Sequence, residues 1–168
     1  SRPDSIVNEE SLYEYRFRLG QILATKLPIK ADLVVGTPDS GLISALGYSH
    51  ASSVPYGDAL IKNRYIGRTF IQPTQTMRQQ GIRLKLNPIP FILQNKIVIL
   101  VDDSIVRGNT SKLIIKSIRE AGAKEIHLRI SSPPIYNPCN LGMDFPDSKE
   151  LVAHNKTIKE IADFIGAD

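Results

Sequence analysis

Apolar positions along this chain switch between helical and strand periods. Leu12, Tyr15, Leu19, Ile22 and Leu23 recur at three- and four-residue steps, which predicts a helix capped by Asn8 and ended by Pro28. Residues 32–36 read as a short buried strand, 37–41 as the turn after it, and Ser40 as the start of a helix running to Ala51. Residues 58–62 predict a second strand. Residues 96–102 hold an unbroken apolar run, the pattern of a strand buried on both faces of a parallel sheet. A helix is predicted over 110–121 with Gly122 at its C-cap, then a strand over 125–131 in which Ile126, Leu128 and Ile130 alternate. Residues 133–146 are irregular, and 148–154 and 157–165 predict two short helices. Alternating strands and helices imply an α/β fold, doubly wound around a mainly parallel sheet.

One stretch breaks the pattern. Residues 63–86 show no clean period and carry Gly67, Pro73 and Gly81, with one helical turn expected near 76–80. A loop this long within a compact domain is usually functional or disordered. At 168 residues the chain fits one domain over 1–168 and can bury a sizeable core. Hydrophobic and charged contents of 42% and 23% are ordinary for a soluble globular protein, and no stretch is apolar enough to span a bilayer. A single cysteine, Cys139, excludes an internal disulfide framework and fits a reducing cytoplasm. The start at Ser1 and the end at Asp168 read as those of an excised domain or fragment.

The net charge of +4 is concentrated in one window. No acidic residue lies between Asp58 and Asp102, while Lys62, Arg64, Arg68, Arg78, Arg83, Lys85 and Lys96 all do. Such a segment attracts polyanions. A single-strand nucleic-acid groove would interleave aromatics for base stacking, and only Tyr65 and Phe70 lie close. A compact pyrophosphate explains the window better, so neither nucleic acid nor membrane is expected as a partner.

Candidate chemistry centres on residues 98–111, V-I-L-V-D-D-S-I-V-R-G-N-T-S. The buried strand ends in Asp102 and Asp103, a loop with Arg107 and Gly108 follows, and Asn109, Thr110 and Ser111 open a helix. Open α/β sheets bind ligands beyond the carboxyl ends of their strands, and a helix N-terminus presents free N–H groups to a phosphate. Hydroxyls from Thr110 and Ser111 add donors, and Gly108 permits close backbone approach. Two acids beside an anion site suit sugar hydroxyls or Mg²⁺. The implied ligand is a ribose 5-phosphate bearing a reactive group. A receiver-type acid pocket would place its acid pair near the N-terminus, and a Walker-type site would need an upstream G-x-x-x-x-G-K-[ST], which is absent.

Residues 98–111 resemble the phosphoribosyl pyrophosphate (PRPP) signature of type I phosphoribosyltransferases. Two further stretches narrow the resemblance to the glutamine amidophosphoribosyltransferase family: T-P-D-S-G-L-I-S-A-L-G-Y at 37–48, and L-I-K-N-R-Y-I-G-R-T-F-I-Q-P-T-Q-T-M-R-Q-Q-G-I-R-L-K-L-N-P at 60–88. R-P-D-S at 2–5 and S-S-P-P-I at 131–135 fit as well, so the resemblance runs the length of the chain.

The resemblance implies Mg²⁺-dependent displacement of pyrophosphate from PRPP by ammonia, giving 5-phosphoribosylamine at the first step of purine synthesis. It implies that Asp102 and Asp103 hold the ribose hydroxyls, and that they and Ser40 help place the metal. Ser104, Val106, Arg107, Gly108, Asn109, Thr110 and Ser111 would cradle the 5-phosphate; the family usually has Thr where this chain has Asn109. Asp39, Ser40 and Gly41 would touch pyrophosphate. Lys62 and Arg64 would bind it, and Arg68 and Lys85 would act catalytically on the leaving group from a loop that closes over PRPP. Tyr65, Ile66, Phe70 and Ile71 either pack as core or, as the resemblance implies, line a transient ammonia passage once the loop closes. Glutamine would supply ammonia through a glutaminase domain in a longer, homo-oligomeric enzyme. Some family members hold an iron–sulfur cluster through a cysteine at the place of Cys139, but a cluster needs four thiolates and is not expected in this chain. His50, His127 and His154 have no metal-ligand spacing and read as structural. A base-salvage phosphoribosyltransferase and a non-catalytic PRPP-binding regulator remain as alternatives.

Overall fold

The computed structural model describes residues 2–63, 86–138 and 148–168. A tight hairpin of β1 (Ile6–Val7) and β2 (Glu10–Ser11) leads into α1 (Leu12–Lys26). Asn8 has a positive φ in that hairpin, and Ser11 caps the helix by accepting from Glu14 N–H, so the cap is Ser11 rather than Asn8. Then come β3 (Leu33–Gly36), α2 (Leu42–Ser52), β4 (Leu60–Lys62), β5 (Leu86–Pro88), α3 (Pro90–Leu93), β6 (Ile97–Asp102), α4 (Asn109–Glu120), β7 (Glu125–Ile130), a 3₁₀ turn (Ser148–Glu150) and α5 (Ile158–Ile165).

Three parallel strands in the order β3-β6-β7 form the central sheet, with Leu33 beside Val98 and Ile97 beside Glu125. Tyr56 bridges to Val34 on the outer side of β3 and extends the sheet by one short position. Among the described strands, β6 lies at the centre, between β3 and β7. Its alternate residues therefore face two different cores. Val98 and Leu100 pack with Ile114, Ile115 and Ile118 of α4 and with Ile126, while Ile99 and Val101 pack with Ala45 and Tyr48 of α2. Helices thus cover both faces, as the alternating pattern predicts.

Other expectations need correction. The strand expected over 58–62 exists as β4, but it pairs antiparallel with β5 in a separate ribbon, with Leu60 opposite Pro88. Asp58 is occupied instead as acceptor for Tyr56 Oη at 2.6 Å. β5 has no apolar run, and Pro88 removes a ladder donor, so periodicity could not reveal it. The apolar stripe of α1 does not form its buried face: Tyr15 and Ile22 are 45% and 42% exposed. α1 buries Gly20 and Ala24 and lies close along α2. The helix expected over 148–154 is only the 3₁₀ turn Ser148–Glu150. Leu151, Val152 and Ala153 are all buried, a run of three that no single helix face accommodates.

Candidate functional site

Parallel pairing of β3 and β6 sets Gly36 beside Val101, so both strands end together and their following loops meet. Thr37 N donates to Val101 O at 2.9 Å and Gly41 N to Thr37 O at 2.8 Å, which folds residues 37–41 back against the end of β6. Only glycine fits at position 41. A Cβ there would lie 2.2 Å from Val101 O and 3.0 Å from Asp102 Cα. The peptide between Pro38 and Asp39 is cis.

Asp102 lies at the meeting point. It is 9% exposed, and its Oδ1 accepts from Ser40 Oγ at 3.0 Å and from Asp103 N at 2.9 Å. Burial pushes its pKa up to about 6; the Asp103 amide offsets part of this, the Asp103 charge adds to it, and the hydroxyls of Ser40 and Thr37 lower it again. Thr37 Oγ1 is buried and, among the described residues, makes no hydrogen bond of good geometry, although it lies near enough to favour the Asp102 carboxylate. Asp103 is half-buried, and its Oδ1 accepts from Ser104 Oγ at 3.1 Å. The end of β7 holds the acid pair from the other side: Ser131 N donates to Asp102 O at 3.1 Å and Ser132 N to Asp103 O at 2.9 Å.

α4 begins beyond Gly108, whose φ of +77° is left-handed and suits glycine. No side chain caps this end. The first N–H groups of α4 therefore have no partner within the helix and remain available to an anion. Asn109 and Thr110 are exposed there, and Ser111 is buried. Ile105 and Val106 are half-buried between the acid pair and the helix.

Most of the residues singled out in sequence converge here. Asp39, Ser40 and Gly41 come from the β3 loop, and Asp102 through Ser111 from the β6 loop and the start of α4. Lys62, at the end of β4, is ion-paired with Asp39, which brings the ribbon to the same rim. Arg107 Nε donates to Glu150 Oε2 at 2.7 Å, and Nη2 reaches the same oxygen. Arg64, Arg68, Lys85, the four apolar loop residues from Tyr65 to Ile71, and Cys139 lie outside the described residues. The three histidines are far apart in role: His50 contacts Gln21 and Phe17, His127 contacts Glu125 and Asp168, and His154 contacts Tyr136 O.

Sequence reasoning missed Thr37 and Glu150. Thr37 follows directly on a buried strand that ends at a loop, which is a usable signal. Nothing marks Glu150 in sequence, because its partner is 43 residues away.

The donor set is all oxygen: two adjacent carboxylates with hydroxyls from Ser40 and Ser104. That suits a hard cation such as Mg²⁺, which commonly takes one or two carboxylates and completes its shell with water and substrate phosphate oxygens. Among the described residues no group of three or more His, Cys, Asp or Glu forms a self-sufficient metal cage. No described helix is long and apolar enough to cross a membrane.

Residues 5–144 match the protein family described as Phosphoribosyl transferase domain. Over its full length the chain is 58% identical to an amidophosphoribosyltransferase of Synechocystis sp. and covers 34% of that protein. It is 53% identical to the amidophosphoribosyltransferase of Methanocaldococcus jannaschii and covers 36% of it. Among solved structures, glutamine phosphoribosylpyrophosphate amidotransferase from B. subtilis, complexed with ADP and GMP, is 49% identical with a TM-score of 0.89; the match covers 100% of this chain and 37% of that one. The chain thus spans about a third of the length of the curated relatives it matches.

Proposed function

Because the chain belongs to the phosphoribosyl transferase domain family, we propose that its paired strand-end loops bind PRPP and that ammonia displaces pyrophosphate there, giving 5-phosphoribosylamine. The observation that carries this reading is the closure of the two loops on each other through Ser40 and Asp102, 3.0 Å apart, beside an uncapped helix N-terminus. Asp102 and Asp103 take the ribose hydroxyls. Residues 104–111 and the first N–H groups of α4 take the 5-phosphate. Asp39, Ser40 and Gly41 meet the pyrophosphate, with Lys62 at the rim and Arg64, Arg68 and Lys85 assigned to it from the basic window.

Asp102, Asp103 and Ser40 would hold Mg²⁺, which when bound would neutralise charge growing on the leaving pyrophosphate. The residues themselves position the ribose, exclude alternative poses and present fixed donors where negative charge develops, which is electrostatic catalysis rather than covalent chemistry. No side chain is required as nucleophile, because neutral ammonia attacks C1 directly. In the longer protein, ammonia comes from glutamine through a glutaminase domain, the subunits form a homo-oligomer, and the location is cytoplasmic.

Calorimetric titration tests the reading. PRPP with Mg²⁺ should bind at micromolar to millimolar concentration, and the double substitution Asp102→Asn and Asp103→Asn should abolish binding while the domain stays folded. Unchanged affinity in that variant would sink the assignment.

A further inference from the structure

Thr37 is buried in the turn that follows β3, with 6% of its surface exposed. Its backbone is fully used: Thr37 N donates to Val101 O at 2.9 Å, and Thr37 O accepts from Gly41 N at 2.8 Å. Its hydroxyl is not. Among the described residues, Thr37 Oγ1 is buried without a hydrogen-bond partner. Buried hydroxyls are normally paired, because burial strips them of water and only a partner offsets that cost. Asp102 is the neighbour that such a donor can serve. A Cβ built at Gly41 would lie 2.9 Å from Thr37 N and 3.0 Å from Asp102 Cα, so both residues close on one point. The Thr37 hydroxyl also helps to favour the charged form of the Asp102 carboxyl.

The donor in use is Ser40, whose Oγ donates to Asp102 Oδ1 at 3.0 Å. Ser40 is half-buried, whereas Thr37 is buried. A serine hydroxyl carries a single proton. Under Proposed function Ser40 meets the pyrophosphate, and a proton turned toward a phosphate oxygen no longer serves Asp102. Of the two donors on Oδ1, the Asp103 N–H at 2.9 Å then remains alone. Asp102 is 9% exposed, so water replaces a lost donor poorly. Stripping a donor from a buried carboxylate is costly unless another stands close.

We propose that Thr37 is a reserve donor for Asp102: when ligand claims the Ser40 hydroxyl, Thr37 Oγ1 donates to the Asp102 carboxylate in its place. Thr37 is a positioning residue, acting on the ligand through Asp102. The inference rests on the role given to Ser40 under Proposed function. One donor is exchanged for another, so Ser40 turns to the ligand while Asp102 keeps its orientation. The orphaned hydroxyl of the free chain is what makes the exchange possible.

Thermal unfolding without ligand, at pH 7.5, tests the exchange first, with Ser40→Ala standing for the state in which Ser40 is claimed. Ser40→Ala alone should stay folded, because Thr37 takes over. Thr37→Val removes an unpaired hydroxyl and keeps the shape of the side chain, so its Tm should equal or exceed that of the parent. The same substitution added to Ser40→Ala should lower Tm clearly, a dependence on background that a purely structural threonine does not show. Calorimetric titration with PRPP and Mg²⁺ then reads the ligand side. Thr37→Val should weaken binding by about 10-fold, the order expected for one hydrogen bond to a charged group, and Thr37→Ser should retain the parent affinity. Unfolding of Ser40→Ala alone, a Tm loss from Thr37→Val that is the same in both backgrounds, or unaltered PRPP affinity in Thr37→Val overturns the proposal. Failure of the unaltered chain to bind PRPP overturns the functional reading instead, and the unfolding cycle then decides the exchange by itself.

Discussion

Asp102 joins a stability cost to the binding role proposed for it in one carboxyl group. Its folded-state pKa is raised to about 6 from an ordinary 3.8, so the folded chain holds this proton more tightly than the unfolded one. The stability linked to that proton is fully present below the unfolded value and is lost as pH rises through the folded value. At neutral pH the domain therefore carries a buried charge. Asp102→Asn removes it and still offers an oxygen to Ser40 Oγ and Asp103 N. The variant should be more stable than the parent at pH 7.5, by roughly 1–3 kcal/mol from the size of the shift, and the gain should vanish below pH 4. Thermal unfolding at the two pH values checks this; a variant less stable at pH 7.5 would show that the charge is not a net cost. The same titration predicts that Mg²⁺-dependent PRPP binding weakens as pH falls through about 6, where a proton competes with the cation.

α5 shows how a local signal and a distant role coincide. Thr157 caps it by accepting from Glu160 N, and the Glu160 carboxylate accepts from Thr157 N at 2.7 Å, a complete capping box. The amphipathic turns that follow put Ile161, Phe164 and Ile165 against the α4 core and under Gly108. Thr157→Ala should lower stability by about 1 kcal/mol, the usual cost of losing such a cap, and chemical denaturation measures it. Elements of this kind were legible: β3, β6, α4, β7 and α5 all stand within a residue or two of where period and caps put them. The placement of the acid pair and the helix start was legible too, because these candidate residues lie within fourteen consecutive positions. What escaped depended on pairing across long separations. β5 is defined only by its partner β4, the 148–154 segment by contacts such as Val152 N to Val106 O, and the buried face of α1, a helix the sequence did predict, by close approach to α2 rather than by its apolar stripe.

For the whole molecule, the ammonia reading has a kinetic consequence. Glutamine hydrolysis needs an activated nucleophile and an oxyanion site, and the single thiol of these 168 residues, Cys139, lies beside Pro138 with no histidine near it in sequence. Turnover by this chain should use ammonium salts and not glutamine, and its rate should rise between about pH 7 and 9 as the neutral fraction grows. A pyrophosphate-release assay at fixed total ammonium checks both points; a flat profile, or product from glutamine, would contradict the assignment. Charge across the molecule points the same way but with one complication. The chain carries +4 overall, with its basic excess between Asp58 and Asp102. Yet Lys62, at the edge of that window, is already matched by Asp39 from the opposite loop. The free protein thus keeps a tethered counter-ion on the rim proposed to bind pyrophosphate. On the proposed reading, an incoming pyrophosphate would exchange with a carboxylate that stays attached rather than with chloride that diffuses away. The affinity should therefore respond to ionic strength less steeply than a count of the basic residues would suggest.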